Sequence, residues 1–258
     1  MRIDVNCSLG RWPFARFEQN TPEALRAHLA AEGIAQALVW PLEAALFPDP
    51  HVCSLELATA LRDMDSLHAV PVIDPTLSNW EECLSACGEQ ACVRAARVLP
   101  NYHRYTLADE SVHELARKLV ASKSVLMIQM RVEDERNQYP LMKIPGVSVD
   151  DVLSLTVAFP ELSILCLCPY LGEARRLVAE STSVCIGTSF CESANSLHLL
   201  LGSMPAERLL FGSHTPVLYT RANSMKLDCA EISDEDRARI SHGNARRLFF
   251  SRPSERLG

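Results

Sequence analysis

Ile3-Asp4-Val5-Asn6-Cys7-Ser8-Leu9-Gly10-Arg11-Trp12 decides between two folds. Its first half is apolar enough for a strand with both faces covered, the pattern of parallel sheets. A doubly wound open sheet would follow such a strand with a glycine-rich turn that cradles phosphate. Cys7-Ser8-Leu9-Gly10-Arg11-Trp12 is no such turn, and glycine is scarce throughout, with 10 residues in 258.

Seven further strand-like runs follow: Ala35–Trp40, Leu67–Val72, Cys92–Val98, Ser124–Met130, Leu162–Leu167, Ser183–Ile186 and Arg208–Phe211. Helical patterns lie between them. Thr21-Pro22 reads as an N-cap followed by proline at the first helical position. Ser78-Asn79-Trp80-Glu81 reads as a capping box, and Ser148-Val149-Asp150-Asp151 looks similar. Asp109, Ser233 and Asn244 mark further helix starts, and Leu197–Leu201 sits on another helix. Eight strand–helix alternations without a linker or repeat predict an α/β fold, a (β/α)8 TIM barrel, as a single domain over residues 1–258.

The composition narrows the function classes. Hydrophobic residues make up 48% of the chain, enough for a large core, and the net charge of −7 offers no field for nucleic acid or anionic lipid. No apolar run is long enough to span a bilayer, and Met1-Arg2-Ile3-Asp4-Val5 has no signal-peptide pattern. The ten cysteines form no C-x-x-C pair. A cytoplasmic protein with free thiols is expected. The expected partner is a small-molecule carboxylate, with no nucleic acid and no membrane; homo-oligomer formation is left open.

In a barrel of this kind the chemistry lies at the C-terminal ends of the strands. Those ends carry Asn6 and Ser8; Trp40; Asp74; Arg97 to His103; Gln129 to Arg136; Cys168 to Tyr170; Thr188 to Phe190; and Gly212 to Pro216. His214 can take a proton near neutral pH, or serve as a structural histidine. Tyr102 and His103 lie in a polar aromatic loop, as substrate donors or as an ordered cover. Arg97 and Arg131 would grip a carboxylate, or pair with Glu133, Asp134 or Glu135. Asp134 belongs to a charged stretch that reads first as a solvated loop. It is also the carboxylate placed to act as base or to orient His214. Cys168 is either a nucleophile beside His214 or an inert buried thiol.

Three segments carry a resemblance: Ile3–Gly10, Arg208-Leu209-Leu210-Phe211-Gly212-Ser213-His214-Thr215-Pro216, and Gly243-Asn244-Ala245-Arg246-Arg247-Leu248-Phe249. With the strand order, they make the chain resemble the amidohydrolase superfamily. The most similar branch is that of small single-domain barrels related to aminocarboxymuconate-semialdehyde decarboxylase. The resemblance implies two histidines on strand 1, histidines after strands 5 and 6, and an aspartate after strand 8 around a zinc. Here those positions hold Asn6, Ser8, Gln129, Cys168 (or Cys166) and His214. Amides and hydroxyls are poor zinc ligands, so no family zinc site and no cofactor are expected.

The resulting expectation is a metal-independent hydrolase acting on a lactone, ester or amide, or a decarboxylase, as the superfamily's metal-independent lactonases suggest. His214 and Asp134 are its candidate catalytic residues; Asn6, Ser8, Arg97, Tyr102, His103, Gln129 and Arg131 would bind substrate. One alternative is an inactive barrel that binds a metabolite or partner protein. Another is a rearranged metal site using His103, His214, Asp134 and Cys168.

Overall fold

The apolar runs form eight strands in the computed structural model, which describes residues 1–90 and 95–250. They are β1 (Ile3–Leu9), β2 (Gln36–Pro41), β3 (Leu67–Ala69), β4 (Ala95–Val98), β5 (Val125–Gln129), β6 (Ser163–Leu167), β7 (Val184–Gly187) and β8 (Leu209–Leu210). The start of the fourth run, expected at Cys92, lies outside the described residues. All pair in parallel, in the orders β1-β2-β3 and β4 through β8. Backbone hydrogen bonds close the ring at both seams: Arg97 N donates to Pro71 O and Ile73 N to Arg97 O, each at 2.8 Å, while Val5 N donates to Phe211 O at 3.0 Å and Ser8 N to Thr215 O at 2.8 Å. The expected (β/α)8 barrel is the fold. β3 is shorter than its apolar run because Pro71 has no N–H to give to a ladder.

Helices return the chain outside the ring: α1 (Pro22–Ala31), α2 (Pro50–Leu61), α3 (Trp80–Gln90), α4 (Pro100–His103), α5 (Glu110–Ala121), α6 (Val149–Ala158), α7 (Leu171–Glu180), α8 (Ser196–Leu201), α9 (Thr220–Asp228) and α10 (Asp234–Ala238). Thr21, Ser148 and Ser233 cap their helices through side-chain oxygens. Asp109 occupies the cap position of α5 but turns its carboxylate back to Thr106, at 2.6 Å from the hydroxyl. The helix expected to start at Asn244 instead continues from α10 without a break, wound as wider π turns at Arg239–Gly243 and Arg246–Phe250. No described helix is long and apolar enough to cross a membrane.

Side chains fill the barrel in layers. Ile3, Val5, Leu38, Val70, Ala95, Val125, Met127, Leu165, Leu167 and Leu210 form an apolar plug, closed below by Ala245 and Phe249. One step nearer the strand ends the inward residues turn polar: Asn6, Arg97 and Gln129 are all buried. The β1–β2 register shifts between Asp4 and Cys7, a bulge that lets consecutive residues Val5 and Asn6 both face inward. Asp4 secures it: its Oδ1 accepts from Asn6 N at 2.9 Å and from Ser213 N at 3.0 Å.

Candidate functional site

Asn6 is the hub of the polar layer. Its Oδ1 accepts from Arg97 Nη1 at 2.9 Å, which fixes the amide's orientation. Its Nδ2 then faces His214 Nδ1 at 3.1 Å, Cys168 Sγ at 3.2 Å and Ser189 Oγ at 3.3 Å. Gln129 mirrors it from β5. Its Oε1 accepts from the same Arg97 Nη1 at 2.9 Å, and its Nε2 donates to Arg131 O at 2.7 Å and to Cys168 Sγ at 3.2 Å. Gly212 allows the close approach of β8 to β1: a Cβ there would lie 3.0 Å from Ser189 Oγ and 3.2 Å from Asn6 Cβ.

The amide donor on Nδ1 settles the tautomer of His214. Its Nε2 carries the proton and donates to the Val132 carbonyl at 2.7 Å. Both ring nitrogens are engaged, and the ring is completely buried. Burial drives its pKa down to about 4; the Val132 bond opposes this and the Arg97 charge adds to it. His214 is therefore neutral at pH 7. Burial also raises the Cys168 thiol to about 12. It is protonated, which favours the inert reading over the nucleophile. His214 and Cys168 both have left-handed φ angles, 59° and 57°, an uncommon backbone for residues other than glycine.

The other candidates divide. Arg131 is held away from the hub by Glu173 of α7, with Nη2–Oε1 at 2.7 Å and Nη1–Oε2 at 2.8 Å, and also donates to Cys168 O at 2.6 Å. Its guanidinium stacks 3.8 Å from the Tyr170 ring centroid. The expected pair of carboxylate-gripping arginines is thus reduced to Arg97. Asp134 pairs with Arg136 at 2.7 Å, and hydrogen bonds from Arg136 pull it to about 2. The group that orients His214 is the Val132 carbonyl, not Asp134. Ser8 leaves the hub and donates to Thr215 O at 3.3 Å. His103 meets Ala44 O at 2.9 Å, with its other nitrogen 4.0 Å from Asp74.

Tyr102 belongs to a cover over the mouth. It packs against Trp12 with centroids 6.5 Å apart, and Trp12 Nε1 donates to Glu133 Oε1 at 2.9 Å. Phe14 stacks on Tyr139 at 5.7 Å, joining the loops after β1 and β5. A cleft of about 460 Å³ beside this cover is lined by Arg16, His28, Thr215 and Thr220, among others, and not by the hub residues.

The sequence located Trp40 and Ser189 at strand ends but gave them no role. It missed Glu173, although Tyr170-x-x-Glu173 at the start of α7 has capping-box spacing: Glu173 Oε2 accepts from Tyr170 N at 2.8 Å.

A dication does not fit this donor set. The amide oxygens at positions 6 and 129 are turned to a guanidinium, and the nitrogens of His214 already have partners. Arg97 would repel a second cation. Among the described residues no three His, Cys, Asp or Glu side chains gather as a metal site, so the rearranged set of His103, His214, Asp134 and Cys168 is not assembled.

No family model and no curated protein matches this sequence. Solved structures do. A 5-carboxyvanillate decarboxylase from Sphingomonas paucimobilis superposes with TM-score 0.72 at 14% identity, covering 96% of this chain and 98% of that one. A 2,6-dihydroxybenzoate decarboxylase from Rhizobium gives 0.70 at 14%, with the same coverage. A 5-carboxyvanillate decarboxylase from Novosphingobium aromaticivorans, complexed with manganese and 4-hydroxy-3-methoxy-5-nitrobenzoic acid, gives 0.73 at 14%, over 96% and 95% of the two chains. The barrel expected from the amidohydrolase resemblance is the fold these decarboxylases share with this chain.

Proposed function

We propose that this barrel acts on a small carboxylate-bearing molecule, by decarboxylation or hydrolysis, without a resident dication. The observation that carries the proposal is Arg97. A full positive charge is buried at the centre of the mouth, with Nη1 bonded to Asn6 and Gln129, two of the positions that would hold metal ligands by resemblance. Burial lowers the guanidinium to about 9, still protonated at neutral pH. A fixed cation there attracts an anionic substrate group as a metal would, though it cannot ionise a bound water.

Decarboxylation comes first of the two reactions. The structural neighbours named above are decarboxylases, and hydrolysis would need His214 to activate water, for which its lowered pKa makes it a weak base. In either reaction the chain supplies Arg97 to hold the carboxylate, Asn6 and Gln129 to hold Arg97, and His214 as the titratable group of the layer. Opening of the Trp12–Glu133 and Phe14–Tyr139 contacts would admit substrate, and their closure would exclude water.

A second reading, binding without turnover, is favoured by one observation: both nitrogens of His214 are satisfied within the protein.

Aromatic carboxylates and lactones, assayed for carbon dioxide release and ring opening before and after chelation, test both. Turnover that survives chelation and is lost in Arg97→Met is the expected result. Turnover that depends on added manganese or zinc overturns the metal-free reading. Saturable binding without product selects the second.

A further inference from the structure

We propose that the barrel mouth contains a monoanion subsite formed by Arg97 Nε and Nη2 together with the indole Nε1 of Trp40. The subsite deepens the carboxylate reading above, and rests on it only for the source of the anion.

Arginine has five N–H donors. Nη1 spends its two on Asn6 and Gln129. Nε and Nη2 are buried and have no hydrogen-bond partner, and the same is true of Trp40 Nε1. The two side chains are neighbours, with the guanidinium carbon 4.9 Å from the indole ring centroid, and neither has any exposed surface. Buried donors without partners are rare, because each forfeits its hydration without return. Among the described residues no carboxylate lies within 4.0 Å of Arg97, whereas Arg131 at the same mouth has Glu173 at 2.7 Å. Asp4 acts on Arg97 only from beyond that distance, so the guanidinium has no ion-pair partner inside the protein.

The missing partner has definable chemistry. The free Nε–Nη2 edge is a two-pronged donor that matches the two oxygens of one carboxylate; a halide would sit in the same fork as a point charge. The neutral amides and neutral His214 add no second positive charge, so one negative charge balances the site. Trp12, Leu99, Val132 and Val72 pack around Trp40, which keeps the local dielectric low and strengthens the attraction. A water molecule would accept hydrogen bonds from these donors but leave the charge standing.

The test uses the indole N–H resonances of protein labelled with ¹⁵N at its three tryptophans, Trp12, Trp40 and Trp80. Protein prepared in sulfate buffer without halide is titrated at constant ionic strength with chloride, bromide, formate or benzoate. The expected result is saturable movement of one indole signal, absent in Trp40→Phe, with at least tenfold weaker binding in Arg97→Met. The other two indole signals report whether the variant is folded. If Arg97→Met does not fold, the anion-dependent rise in melting temperature is compared between the parent protein and Trp40→Phe, where it should shrink. Movement with halides alone assigns the site to a free inorganic anion, and movement with carboxylates assigns it to the ligand. No saturable movement with any of the four, or equal movement in Arg97→Met, overturns the subsite. Halide binding without any carboxylate turnover keeps the subsite and removes the function; turnover unaffected by Arg97→Met and Trp40→Phe does the reverse.

Discussion

Two buried arginines stand at one barrel mouth in opposite circumstances. On the β5–α7 side, Arg131 has Glu173 on both prongs, a carbonyl and a tyrosine face. On the β4 side, Arg97 holds two amides and faces no anion. Burial pulls both guanidiniums down; at Arg131 the hydrogen bonds and charge of Glu173 more than reverse it, and at Arg97 nothing of that strength does. A paired charge fixes architecture, and an unpaired one stores attraction for something outside the chain. The sequence offered the two together, as one carboxylate clamp or as members of one ion network; their surroundings separate them.

Breaking the paired side has the largest expected effect. Arg131→Met strands Glu173 and leaves Cys168 O without its donor, a loss of about 3 kcal/mol in urea denaturation. Arg97→Met relieves a buried charge that has no ion-pair partner but leaves the Asn6 and Gln129 side-chain oxygens without their donor, so its loss of stability should be smaller than that of Arg131→Met. Equal losses in the two variants would abolish the distinction.

Acid sharpens the contrast, because the polar layer is built for a neutral imidazole. The pKa of His214 falls from 6.5 unfolded to about 4 folded, so the unfolded chain binds the extra proton first. The stability this residue contributes is present above pH 6.5 and lost between pH 6.5 and 4, about 3 kcal/mol in all. His68 and His103 are lowered by burial in the same direction. His214→Gln should therefore flatten the pH dependence of melting without abolishing it. An unchanged slope would place the acid sensitivity elsewhere.

The smallest effect belongs to the cover. Trp12→Phe removes the hydrogen bond to Glu133, about 1 kcal/mol, and should speed exchange of a bound carboxylate more than it changes stability. Stopped-flow dissociation that is unchanged would show that the cover does not gate the mouth.

The barrel was legible because a strand covered on both faces is apolar at most positions, and such runs survive a change of site chemistry at the few polar ones. The candidate positions were legible for a related reason: strand ends are fixed by where those runs stop. Asn6, Arg97, Gln129, Cys168 and His214 do meet. What each one bonds was not legible, because it depends on residues far along the chain. Val132 is 82 positions from His214, and Glu173 is 42 from Arg131. The two-residue spacing of Gln129 and Arg131 sets them on one side of a strand but says nothing of the α7 carboxylate that pairs with Arg131. The bulge in β1 was equally hidden, since its cause, the Asp4 carboxyl reaching two backbone amides, is a matter of three-dimensional approach.

That bulge has a price for anyone who would redesign the protein. Deleting Asn6 would restore regular pleating to the first strand and give it a better ladder. It would also excise the side chain to which the guanidinium, the thiol and the imidazole are all moored. The most orderly version of this sheet would be the one with nothing left to do.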